Sequence, residues 1–229
     1  MKNGLYRKYI KRILDVICAL LALVVFSWLY GIIAVLVKVK LGGPVIFKQP
    51  RPGKDEKIFY LYKFRTMTDE RDKEGNLMPD QARLTRFGKM LRSTSLDELP
   101  EAWNILKGDM SVVGPRPLLV RDMLFMTPEQ RKRHDIKPGL SGLAQVSGRN
   151  ALQWENKLEK DLEYIEKISF GTDAQIVWRT VKQVFFRKDR NDEEIDLTDD
   201  LGDYLLNAGK ITEDEYRQKN EDARLIAKE

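Results

Sequence analysis

Two acids, Asp97 and Glu98, stand side by side in SLDELPEAWN (residues 95–104). Ser95 followed by Glu98 fits a capping box, and Pro100 is comfortable only in a first helical turn, so the pair is expected at or just before a helix N-terminus. Adjacent helical residues point about 100° apart, which rules out the facing carboxylates of a glycosidase. The two can instead divide roles. A carboxylate held ionised by the helix dipole suits a nucleophile or a metal ligand, and its neighbour can position the metal or move a proton. Few other reactive groups compete with them. Cys18 is the single cysteine and lies in an apolar run, which excludes a disulfide framework and a thiolate zinc site. His134, alone among Arg131, Lys132, Arg133 and Asp135, is expected to be a solvated surface histidine. The chain contains no GxGxxG, P-loop or GxSxG motif. Its chemistry therefore falls to carboxylates, arginines, lysines and a hard metal.

These groups need elements to hold them. Residues 57–67 (KIFYLYKFRTM) read as a strand, 69–81 as a polar loop, and 82–93 as a helix; the helix after the acids ends near Gly108. Thr127, Pro128 and Gln130 open another helix through a capping box, and 136–150 is a glycine-punctuated loop and strand. In the helix expected from Asn150, residues Trp154, Leu158, Asp161 and Ile165 share one face. Asp161 thus sits in an apolar stripe and must be paired, either structurally by an arginine or in service of the active site. From Asp173 an amphipathic helix carries Ile176, Val177, Thr180, Val181 and Val184 on one side, suited to core packing or to a membrane surface.

The chain's ends differ in character. Val16 to Val37 is a run of 22 residues without a charge, about 33 Å of helix against a bilayer core of about 30 Å. It is too long for a signal-peptide core and lacks the small-residue cleavage site. Bases flank both ends: Lys2, Arg7, Lys8, Lys11 and Arg12 before it, Lys38, Lys40 and Lys48 after it. The positive-inside rule then favours a helix that enters and returns on one face. Of the 229 residues, 188–229 hold seven bases and fourteen acids, so the preceding body carries 33 bases against 21 acids, net +12. Such a body calls for an anionic partner. The tail's LGDYLLNAGKITEDEYRQKNEDARLI (201–226) has Gly209 as a stop and Thr212 with Glu215 as a capping box, and resembles the short SHOCT-type helical hairpin, which implies oligomerisation.

The order of RPGKDEKIFYLYKFRTM, TRFGKMLRSTSLDELPEAWNILKGDMSVVGPRP, KPGLSGLAQVSGRN and KLEKDLEYI behind a basic-flanked apolar N-terminus resembles the bacterial sugar transferase family, the monotopic phosphoglycosyl transferases, in its minimal form, over about residues 5–187. The resemblance implies transfer of a sugar 1-phosphate from a UDP-sugar to undecaprenyl phosphate, giving the undecaprenyl diphosphate sugar and UMP, with Mg²⁺ as cofactor. It is the first membrane step of bacterial glycan assembly, at the cytoplasmic face of the inner membrane. The resemblance makes Asp97 the nucleophile that carries a covalent phosphosugar and Glu98 its dyad partner, the two also serving as metal ligands. One departure stands out: where the family breaks its membrane helix with Ser-Pro, this chain reads Ser27-Trp28.

Phosphoryl transfer is mostly positioning and charge neutralisation. The candidate substrate-binding groups are Lys63, Arg65, Arg92, Arg116 and Arg149, with Asp161; each arginine or lysine could equally form an ordinary salt bridge, and Arg116, between two prolines, is the best placed. The expected fold is α+β and mainly helical: a re-entrant membrane anchor (1–38), a cytoplasmic catalytic domain with membrane-surface helices and a small sheet (39–188), and an acidic helical tail (189–229) dispensable for chemistry. Two rival readings are a membrane-associated glycosyltransferase that releases UDP, and a basic membrane-tethered binding protein without activity. Interspersed charges and the lack of a recognisable motif argue against nucleic acid as a partner.

Overall fold

The computed structural model describes residues 4–148, 153–185 and 200–227. A π-helical turn, Tyr6–Ile10, runs into α1 (Lys11–Val25), and α2 (Ser27–Leu41) follows at an angle of 63°. The break lies at Phe26 (φ −96°, ψ 9°), whose N–H donates to the Ala22 carbonyl and whose own carbonyl accepts from Leu29 and Tyr30. One residue thus closes one helix and opens the next without proline, while Gly31 stays helical inside α2. No single described helix is long and apolar enough to cross a membrane; the bent pair together reaches that measure in length and composition alone.

Both ends of this pair are fastened to one body. On α1, Arg12 donates to the Ile105 and Leu106 carbonyls at 2.6 and 2.9 Å, and Asp15 accepts from Ser111 Oγ and Val112 N. Lys11 and Tyr6 both reach Asp173. On α2, Ile33, Val37 and Leu41 pack with Phe64 and Leu91. The turn between them is apolar and uncovered, with Val24 71% and Trp28 64% exposed.

The body has two small sheets. β1 (Ile46–Pro52) and β2 (Ile58–Phe64) form an antiparallel hairpin with Ile46 opposite Phe64. The expected helix over 82–93 is split into α3 (Asp80–Arg83) and α4 (Arg86–Ser93), the latter capped by Thr85. The turn Leu96–Glu98 leads into α5 (Glu101–Lys107), which ends at Gly108 as expected. β3 (Ser111–Val113) pairs in parallel with β4 (Gly139–Ser141) across a crossover through α6 (Val120–Phe125) and α7 (Pro128–Arg131). The Thr127–Gln130 capping box opens α7, which passes after one turn into a 3₁₀ turn, Lys132–Asp135. Beside β4 two backbones nearly touch: a Cβ on Gly139 would stand 2.0 Å from Gly114 N, so only glycine permits the approach that sets the Pro115-Arg116-Pro117 loop. α8 (Leu143–Ser147) is a helix where the sequence indicated only loop and strand.

α9 (Trp154–Glu166) buries Trp154, Leu158 and Asp161 as expected. α10 (Phe170–Phe185) divides its apolar face: Ile176 is buried and Thr180 meets Ser141, whereas Val177, Trp178 and Val181 are exposed, Trp178 by 68%. The tail's α11 (Leu201–Asn207) and α12 (Glu213–Ile226) form the expected hairpin, with Thr212 accepting from Glu215 N. It packs on its own body, Leu201 joining Phe125, Met126, Trp154 and Leu158. The whole is mainly helical with a small sheet component, an α+β arrangement.

Candidate active site

Ser95 adopts a left-handed conformation (φ 57°) and does not cap the following helix; Pro100 occupies the N-cap of α5. The expected capping box therefore does not form, and the carboxylate of Glu98 is turned elsewhere. Lys63 continues the face of β2 that buries Phe59 and Leu61. Its Nζ lies 2.8 Å from Glu98 Oε1 and 3.2 Å from Glu101 Oε1. Arg116 Nη2 reaches the same Glu98 oxygen at 2.8 Å. Asn104, fully buried, fixes α5 to β2 by accepting from Tyr62 N and donating to the Tyr60 carbonyl. Arg12 satisfies carbonyls at the other end of α5, where a helix leaves acceptors and partial negative charge.

Asp97 is 7% exposed and makes no hydrogen bond or ion pair among the described residues. Burial pushes its carboxyl up to about 6, the adjacent Glu98 charge adds to the rise, and Lys63, Arg92 and Arg116 oppose it. Glu98 behaves in the opposite way. Burial would raise it, but Lys63 and Arg116, by charge and by hydrogen bond, hold it well below the usual carboxylate range. Glu101 is pushed up by burial and by the Glu98 charge, against the pull of Lys63. The outcome is a firmly ionised Glu98 held by two cations, beside an uncommitted carboxyl on Asp97. Such a carboxyl, ringed by Lys63, Arg92 and Arg116, can attack phosphorus while the cations take up charge on departing phosphate oxygens.

The other candidate residues fall into two groups. Arg92 belongs with the site: its Nε donates to Thr66 Oγ1 at 3.0 Å and its charge acts on Asp97. Arg65 is turned to the Gly43 and Met67 carbonyls and to Asp69, so the structure does not bring it to the acid pair. Asp161 meets an arginine: Arg133 donates to Asp161 Oδ2 through Nε at 3.0 Å and Nη2 at 2.7 Å, and Nη2 also donates to the Arg116 carbonyl at 2.7 Å. Asp161 thus supports the loop of Arg116 through Arg133. Arg149 lies outside the described residues. The expectation of a solvated His134 is wrong. Its ring is buried, with Nδ1 3.1 Å from the Arg131 carbonyl, because the 3₁₀ turn rolls it inward while Arg131 and Lys132 stay out.

Glu101 is the site residue that sequence reasoning missed. Its signal was present, since it lies three residues after Glu98 and so shares a helical face with it. Arg51 was also missed: its Nη1 donates to the Pro117 carbonyl, Nη2 to Gln49, and burial and the nearby Arg116 charge lower its guanidinium to about 10. For a metal, Asp97 and Glu98 are a fitting beginning, because Mg²⁺ takes one or two carboxylates and completes its shell with phosphates and water. The described residues contain no cluster of three metal-ligating side chains.

This arrangement has relatives. The family model described as bacterial sugar transferase matches residues 6–187. An uncharacterized sugar transferase, EpsL, of Bacillus subtilis is 49% identical over 175 residues, 76% of this chain and 87% of that protein. A UDP-N-acetylgalactosamine-undecaprenyl-phosphate N-acetylgalactosaminephosphotransferase of Aeromonas hydrophila is 39% identical over 184 residues, 77% of this chain. A UDP-glucose:undecaprenyl-phosphate glucose-1-phosphate transferase of Klebsiella pneumoniae is 42% identical over 196 residues, 81% of this chain. The chain spans only 44% and 42% of the length of these last two. With the family match running from the first turn of the N-terminal helix to the end of α10, this chain belongs to the bacterial sugar transferase family.

Proposed function

We propose that this chain is a phosphoglycosyl transferase that moves a sugar 1-phosphate from a UDP-sugar to undecaprenyl phosphate and releases UMP, at the cytoplasmic face of a bacterial inner membrane. The observation that carries the reading is the contrast within the acid pair, with Glu98 locked by Lys63 and Arg116 and Asp97 left uncommitted beside them. Asp97 attacks the β-phosphorus, the bond from that phosphorus to the α–β bridging oxygen breaks, and UMP leaves with the bridging oxygen. A phosphate oxygen of undecaprenyl phosphate then attacks the aspartyl phosphosugar and frees the carboxylate. Mg²⁺ on Asp97 and Glu98 would supply charge neutralisation at the phosphates. Lys63, Arg92 and Arg116 orient the diphosphate, and Asp161 acts through Arg133 on the loop that presents Arg116.

A lipid-linked acceptor accords with the bent pair α1–α2. Both ends are held on one body while the turn exposes Val24, Val25, Phe26 and Trp28, and exposed apolar surface of that kind favours a membrane. A re-entrant helix satisfies these contacts, whereas a straight crossing would tear one end away. Trp178 and Val181 of α10 are exposed apolar side chains as well. The named relatives use different sugars, so the test employs a panel. Purified protein is incubated with Mg²⁺, undecaprenyl phosphate and each of UDP-glucose, UDP-galactose, UDP-N-acetylglucosamine and UDP-N-acetylgalactosamine. Lipid-dependent release of UMP is expected from at least one donor. Release of UDP would instead identify a glycosyltransferase.

A further inference from the structure

Residues 201–226 lie beyond the family match, yet they are built into the body at the segment that presents Arg116. Asp122, 2% exposed, accepts the Leu119 N–H at 2.9 Å on one oxygen and the Leu201 N–H at 3.1 Å on the other. A single carboxylate therefore joins the chain just past Arg116 to the first residue of α11. Arg121 is paired with Asp200 and Asp203, and Tyr216 donates to Asp203. Gly202 lies flat on the Phe125 ring, where a Cβ would stand 2.5 Å from Cε2. A second route runs through α9. Leu201 packs with Trp154 and Leu158, and one turn after Leu158 comes Asp161, which holds Arg133 and through it the Arg116 carbonyl.

We propose that the C-terminal hairpin is a brace, joined through Asp122, that fixes the Arg116 loop against Glu98 and so promotes phosphosugar transfer. This proposal runs against the expectation that the tail is dispensable for chemistry. Arg116 side-chain placement needs a fixed loop, and two of its backbone supports lead to α11: Leu119 directly through Asp122, and the Arg116 carbonyl through Arg133 and Asp161 of α9, on which Leu201 packs. The inference rests on the reading of Arg116 as a group that takes part in the transfer.

The test uses full-length protein in which the hairpin is loosened at two different points. Gly202→Val drives a side chain into Phe125. Leu201→Pro removes the N–H that reaches Asp122, at a first helical position where proline is tolerated and after Asp200, which is already extended. Native-state hydrogen exchange reads the Leu119 amide, and UMP release from the donor panel reads the chemistry. In both variants the Leu119 amide is expected to exchange at least about tenfold faster while the amides of α5 keep their protection. kcat should fall about tenfold with KM for the UDP-sugar changing by less than about threefold. Unchanged protection at Leu119, or unchanged kcat, in a folded variant whose tail amides exchange freely would overturn the brace. Should wild-type protein release no UMP from any donor, the proposed activity fails, and the exchange measurement still decides whether the hairpin holds the loop.

Discussion

Glu98 accepts from Lys63 and Arg116 through the same carboxylate oxygen, so its charge organises two cations that would otherwise repel. Glu98→Gln removes that charge and keeps the shape. It is expected to lower kcat by about 100-fold or more, as for loss of a group that orders charge at a reacting phosphate, with UMP release as the measurement. Asp161→Ala leaves Arg133 buried and unpaired, which costs about 3–5 kcal/mol in comparable sites; urea unfolding should show a loss of that order. His134 gives a pH signature. Burial, with the Arg133 charge beside it, lowers the imidazole to about 4. The unfolded chain then takes up a proton first as pH falls, so this contribution is complete above about pH 6.5 and is lost on acidification toward about pH 4, amounting to about 3 kcal/mol. Wild-type protein should lose stability over that window, and His134→Gln should flatten the loss; parallel curves would contradict it. At this scale the sequence made Asp97, Glu98, Lys63 and Arg116 legible because they sit in short dense motifs. It could not show that Asp161 answers Arg133, 28 positions away, or that His134 turns inward, since both depend on how a 3₁₀ turn packs against α9.

Among the elements, α5 and the bent pair α1–α2 are joined where the site is built. α5 is clamped at its start by Lys63 on Glu101, in its middle by Asn104 on β2, and at its end by Arg12 of α1. α1 is thus a structural part of the site. The sequence indicated the apolar run, and the charges at its two ends are the reason to expect a return. The bend needs no Ser-Pro pair: Phe26 makes the break by ending one hydrogen-bond ladder and starting another. The topology is tested in a Cys18→Ser background with single cysteines at Lys8 and Asp55, labelled by an impermeant thiol reagent. Both positions are exposed and should react only after lysis. Labelling at position 8 in intact cells would show a straight crossing.

Taken as a whole, the molecule joins a basic body, a bent apolar helix pair and an acidic tail. Charge distribution along the chain distinguished body from tail, net +12 against −7. It did not reveal that the hairpin folds back on α6 and α9, because that docking relies on Gly202, Leu201 and Asp122, residues with no pattern of their own. The central claim is that Asp97 forms a covalent bond to the phosphosugar. It is tested most directly by mixing the protein with Mg²⁺ and its productive UDP-sugar in the absence of undecaprenyl phosphate, quenching, and measuring intact and peptide masses. The account predicts one added sugar phosphate per chain on the peptide containing Asp97, matched by released UMP, discharged by undecaprenyl phosphate and absent from Asp97→Asn. An adduct on another residue, or full turnover by Asp97→Asn, would contradict it.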